Sequence, residues 1–115
     1  MTTAAREVIR VSEWMTVAKA EEVPEDALLQ VAVDDADVVV ANVDGTYRAL
    51  GDVCTHAECS LADGWIEDGT VVCICHSSAF DLETGTVVTG PAEEPVRAYQ
   101  VRIEGDEIQV AKPDE

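Results

Sequence analysis

The sequence predicts an all-β fold, an antiparallel sandwich or partly open barrel, on three observations. Apolar residues make up 47% of the 115-residue chain but aromatics only 4%, so the core must come from Val, Ala, Ile and Leu, side chains that suit a pleated, half-buried surface. Turn signals, several of them Asp-Gly, recur about every 8–12 residues. No segment sustains a long helical period. The length is that of one domain.

The elements follow in order. Thr2–Glu7 reads as a loose start and Ser12–Ala18, with Trp14, Met15 and Val17, as a first strand. Lys19–Asp26 is charged and contains Pro24, so it reads as a loop or a single helical turn. Leu28–Val33 alternates as a strand. Ala36–Val43 and Thr46–Leu50 flank Asp44-Gly45, the signal of a hairpin. Gly64–Glu67 and Thr70–Cys73 repeat it around Asp68-Gly69. Phe80–Leu82 and Thr86–Val88 flank Glu83-Thr84-Gly85, and Ala98–Ile103 and Glu107–Ala111 flank Glu104-Gly105-Asp106, giving two more hairpins. Trp14, Tyr47, Trp65 and Tyr99 read as core or hairpin packing, and Asp63 and Asp81 as turn formers.

The net charge is −17, from 24 acidic against 7 basic residues. Such a chain repels nucleic acid and anionic membranes and is steered toward a basic partner; solubility alone is the plainer use of the acids. Met1–Arg10 lacks the basic-then-apolar pattern of a secretory signal, and the longest apolar run, Val38–Ala41, is far too short to span a bilayer. The expectation is a soluble, cytoplasmic protein, where cysteines serve more often as metal ligands or redox groups than as structural disulfides.

Every cysteine and both histidines lie between Cys54 and His76. Cys54-Thr55-His56 forms one claw and Cys73-Ile74-Cys75-His76 a second. Two thiolates and two imidazoles from paired loops make a four-ligand set. A structural Cys2His2 zinc site is one reading, although zinc-finger spacing pairs cysteine with cysteine and histidine with histidine. Here each cysteine travels with its own histidine. That mixture suits two iron atoms, one held by thiolates and one by imidazoles, the ligand division of a Rieske [2Fe–2S] centre.

Cys54-Thr55-His56-Ala57-Glu58-Cys59-Ser60-Leu61 and Cys73-Ile74-Cys75-His76-Ser77-Ser78 resemble the two cluster-binding boxes of the Rieske family. Phe80-Asp81, Thr84-Gly85 and Gly90-Pro91-Ala92 resemble the elements that follow the second box. Together they span Cys54–Ala92, about a third of the chain. The resemblance implies the Rieske fold: a base of residues 1–51 and 93–115 and a cluster-binding subdomain of hairpin loops at 52–92. It implies one [2Fe–2S] cluster per chain, with Cys54 and Cys73 on the inner iron and His56 and His76 on the outer. It also implies a disulfide between Cys59 and Cys75, as in higher-potential members, where burial beside the cluster would shield the bond; two reduced thiols in a reducing cytosol are the alternative. Ser78 takes the place of a hydroxyl that donates to a bridging sulfide. Phe80 lies near the place of a tyrosine that donates to a ligand thiolate and has no hydroxyl to do so, and Pro91 belongs to a loop covering the cluster. Ser77 stands where a glycine is common, leaving the local backbone open. A potential below that of respiratory members is expected.

Four protein ligands leave iron no open position, and the chain lacks the length and ligand set of a non-heme oxygenase site. A one-electron carrier without catalytic residues is therefore implied, resembling ferredoxins that take electrons from a flavoprotein reductase to a terminal oxygenase. Two alternatives stand beside it: the small subunit of an assimilatory nitrite reductase and a zinc-stabilised binding module.

Overall fold

The computed structural model describes residues 14–54, 59–75, 77–90 and 92–111. The loose start at Thr2–Glu7 and the first residues of the predicted opening strand lie outside them. Among the described residues, eleven antiparallel strands form three sheets. They are β1 (Trp14–Lys19), β2 (Leu28–Val33), β3 (Ala36–Val43), β4 (Thr46–Gly51), β5 (Trp65–Glu67), β6 (Thr70–Val72), β7 (Ala79–Asp81), β8 (Val87–Thr89), β9 (Ala98–Tyr99), β10 (Val101–Glu104) and β11 (Glu107–Ala111). The sheet orders are β1-β11-β10, β2-β3-β4-β9 and β5-β6-β7-β8. Among the described residues the only helical pieces are 3-10 turns at Ala20–Glu22 and Leu61–Asp63, and none is long and apolar enough to cross a membrane.

The second sheet is the middle layer, and β3 shows why the Val38–Ala41 run is unbroken. Successive strand residues point to opposite faces. Val38 and Val40 pack with Val33, Ala49, Ile108 and Val110 in a core against the first sheet. Val39 and Ala41 pack with Leu50, Leu61, Val71, Phe80 and Leu82 in a second core against the third sheet. A strand covered on both sides has no polar face to alternate with.

The Asp-Gly pairs do what the sequence asks of them. Asp44 and Gly45, and Asp68 and Gly69, all take positive φ, the backbone that matches a two-residue turn to strand twist. One hairpin goes unpredicted. Asp34-Asp35 joins β2 to β3, with Asp34 at φ 56°, though no glycine marks it. Aspartate tolerates that region better than most residues. The Ala98–Ile103 strand is split in two. Ala98 and Tyr99 pair with Leu50 and Ala49, whereas Val101–Glu104 pairs with β11. The chain changes sheets at Gln100, a step that a continuous β-prone run does not announce.

The acids do the local work expected of them. Asp81 Oδ1 accepts from Glu83 N (2.7 Å) and Thr84 N (3.1 Å), closing the β7–β8 turn. Trp65 departs from expectation: it is exposed on the solvent face of the third sheet, its indole donating to Glu67 at 3.0 Å. Trp14 lies under the Arg102 guanidinium, 4.5 Å from ring centroid to Cζ.

Candidate metal centre

Two loops and a third segment converge beyond the strand ends. The first runs from β4 to the 3-10 turn at Leu61. Its stem is closed by a bridge between Val53 and Ser60 and by Cys54 N donating to Cys59 O at 2.8 Å. The second, residues 73–78, joins β6 to β7. Cys73 N donates to Ser78 O (2.7 Å) and Ser77 N to Cys73 O (3.0 Å), so the loop is pinned at both ends.

Cys54 and Cys73 are both buried, belong to the same core with Leu61 and Phe80, and stand outside the disulfide. Cys59 and Cys75 are bonded to each other across the two loops, with Cα atoms 6.4 Å apart. Cys59 and Cys75 thus form the disulfide the resemblance implies, and Cys54 and Cys73 lie outside it. Cys75 is exposed and Cys59 half-buried, so the protein fold alone does not shield the bond. Cys73 Sγ lies within 4.8 Å of both disulfide sulfurs. His56, His76 and Pro91 lie outside the described residues.

Ser78 is buried, and its Oγ accepts from Ala92 N at 3.0 Å, fastening the third segment to the second loop. A hydroxyl that accepts there keeps its own proton to donate. Phe80 is fully buried in the core. Ser77 takes φ 63°, so the position where glycine is common does need left-handed backbone. A side chain there crowds the following carbonyl by about 1–2 kcal/mol. Ser77→Gly is expected to stabilise the protein by about 0.5 kcal/mol after the extra chain entropy of glycine. A Tm that does not rise, against an expected gain of roughly 2–4 °C, would contradict it.

Asp52 is the residue that reading the motifs misses. It is buried two positions before Cys54. Its Oδ2 accepts from Gln30 Nε2 and Ser60 Oγ, both at 2.6 Å, and its Oδ1 from Ala62 N at 2.9 Å. Its backbone donates to Asp37 O (2.9 Å) and accepts from Leu61 N (2.6 Å). One carboxylate therefore ties the start and end of the first loop to β2. A buried charge is tolerated only when hydrogen-bonded in this way. The available signal was negative: no turn chemistry follows Asp52, so turn formation does not account for it.

The donor set suits soft, thiophilic iron: two sequestered thiols at the feet of two loops, cross-tied so that the loops cannot separate. The model of the Rieske [2Fe-2S] domain matches residues 13–100. The chain belongs to the Rieske [2Fe–2S] family. A biphenyl dioxygenase ferredoxin subunit from Pseudomonas sp. strain KKS102 is 44% identical over 100 residues, covering 84% of this chain and 92% of that protein. The solved ferredoxin of carbazole 1,9a-dioxygenase from Nocardioides aromaticivorans IC177 superimposes with a TM-score of 0.85 at 31% identity, covering 89% of this chain and all of that one. A chain from a complex of reduced oxygenase and oxidized ferredoxin in carbazole 1,9a-dioxygenase superimposes at 0.82, with 26% identity and 93% and 98% coverage. This Rieske protein carries a [2Fe–2S] cluster and is an electron carrier of the ferredoxin kind. The zinc module is set aside as the resident state.

Proposed function

We propose that this Rieske protein is a cytoplasmic, non-enzymatic component that passes single electrons from a flavoprotein reductase to the terminal oxygenase of a ring-hydroxylating system. In this reading Cys54 and Cys73 hold one iron and His56 and His76 the other, within a cluster-binding subdomain at 52–92 set on a base of 1–51 and 93–115. The cluster, when bound, supplies a one-electron change of valence at a potential raised by its neutral imidazoles. The observation that carries the reading is the pair of buried thiols on two loops clamped together outside them.

The chain's own residues fix those loops. Asp52 anchors the first, the Cys73–Ser78 and Ser77–Cys73 bonds close the second, and Ser78 holds the third. A rigid cage limits reorganisation when charge changes, which favours fast transfer. Val53 and Ile74, neighbours of Cys54 and Cys73 in sequence, are exposed apolar side chains beside the loops. A small apolar contact within a chain of net charge −17 suits short-lived docking on a basic surface.

The test is reconstitution with a flavoprotein reductase, its reduced nicotinamide and a ring-hydroxylating oxygenase. Reduction of the chain and product formation should both require it. The association rate with each partner should fall about tenfold or more between low and ~0.5 M salt, as screening shortens the reach of the acidic surface. A salt-independent, permanent complex with a large reductase would favour the nitrite reductase reading instead.

A further inference from the structure

The disulfide hides a donor set that differs from the cluster ligands. The sulfurs of Cys59, Cys73 and Cys75 all lie within 4.8 Å of one another. A tetrahedral zinc with thiolate arms of about 2.3 Å places its sulfurs roughly 3.8 Å apart. Opening one S–S bond and drawing the third sulfur in by about an ångström would meet that geometry. We propose that Cys59, Cys73 and Cys75 form a thiol-gated site for Zn2+, present when the Cys59–Cys75 disulfide is reduced and abolished when it forms.

Three features make the site workable. The first is access. Cys75 is exposed and Cys59 half-buried, so a dithiol and then a metal ion can reach them from solvent, with Cys73 as the buried floor. The second is preorganisation. The bonds from Cys54 N to Cys59 O, from Cys73 N to Ser78 O and from Ser77 N to Cys73 O involve no disulfide sulfur, and neither does the Asp52 anchor. The loops therefore keep the three cysteines near one another without the covalent tie. The third is chemistry. Three thiolates are a soft donor set that zinc binds tightly, with water completing the tetrahedron.

The steps balance. A dithiol gives two electrons and two protons to the disulfide; the S–S bond breaks, Cys59 and Cys75 become thiols, and the dithiol closes to its own disulfide. Zinc then displaces one proton from each of three thiols. Cys73 cannot serve zinc here and iron in the cluster at once, so the two occupancies exclude each other. The disulfide thereby acts as a guard during assembly, removing two thiolates that would otherwise divert Cys73 to the wrong metal.

The experiment is assembly of the full-length chain with ferrous iron and sulfide, with and without one equivalent of Zn2+. It is run with the disulfide intact and after a phosphine reductant. Zinc can also compete through the cluster ligands, which sets a baseline in the intact chain. Reduction should deepen the loss of the reduced-state paramagnetic signal about tenfold beyond that baseline. Alkylation mapped by peptide mass gives the second readout: in the reduced chain, zinc should slow modification of Cys59 and Cys75 by about tenfold or more. The variant C59S/C75S, under the same reductant, should stay at the baseline. Unchanged alkylation of Cys59 and Cys75 in the presence of zinc overturns the proposal, whatever the variant does, as does equal zinc sensitivity in both thiol states. The electron-carrier reading is untouched by either result, because zinc protection is measured without any redox partner.

Discussion

Cys73→Ser is expected to leave the protein without a cluster: no paramagnetic signal on reduction, no acid-labile sulfide and no visible absorption. Serine keeps the size of the side chain and both backbone bonds of the second loop, Cys73 N to Ser78 O and Ser77 N to Cys73 O. What it removes is the soft, easily ionised sulfur, and a hydroxyl at neutral pH does not replace it. The loss reaches the fold, because the binding energy of a structural metal is folding energy, on the order of 10 kcal/mol where zinc has been measured. That cost should be local. The core of Val33, Val38, Val40, Ala49, Ile108 and Val110 contains no cysteine, whereas the other core includes Cys54 and Cys73. Hydrogen exchange should therefore rise in β5–β8 and the loops while β1–β3 and β11 stay protected. Cys75→Ser is the discriminating control. It removes a staple closing 16 residues, about 3 kcal/mol, and should leave a cluster in place. A Cys73→Ser protein with full iron and sulfide would end the ligand assignment.

The contrast between those two cysteines shows what the sequence could reveal. Cysteine boxes are local in sequence, so the staple residues Cys59 and Cys75 could be named from the resemblance before any fold was known, with Cys54 and Cys73 outside the bond. Asp-Gly turns are equally local, and the hairpins at Asp44-Gly45 and Asp68-Gly69 came out as read. The Asp34-Asp35 turn did not, because an aspartate at positive φ leaves no mark in the sequence. The break at Gln100 depends on which sheet each half joins, a tertiary choice between partners already in place. The exposure of Cys75 likewise depends on how the two loops pack, which no local pattern encodes. Asp52 was illegible for the same reason. Its partners come from Gln30, Ser60 and Ala62, and only folding brings β2 to the stem of the first loop.

Asp52→Ala is expected to destabilise the protein by about 3–5 kcal/mol, among the largest effects of any residue outside the ligands. The substitution removes one buried acceptor from three donors at once, Gln30 Nε2, Ser60 Oγ and Ala62 N, of which Gln30 is exposed and can turn to water while the half-buried Ser60 and Ala62 lose most. It also unties the first loop from β2 while leaving the cysteines intact, so the signal of the reduced cluster should broaden and the cluster should be lost faster on dilution. Asp52→Asn separates charge from shape. Its oxygen can stay on Ala62 N, and its amide then faces Gln30 and Ser60. Both can turn from donor to acceptor, glutamine by flipping its amide and serine by rotating its hydroxyl. The asparagine variant should therefore lose only about 1–2 kcal/mol and keep a sharp signal. Urea unfolding monitored together with the paramagnetic line shape checks both. If alanine costs under about 1 kcal/mol and leaves the line shape unchanged, the loop is held by its backbone bonds alone. Equal losses for alanine and asparagine would instead mean that the negative charge itself, rather than the count of acceptors, holds the stem.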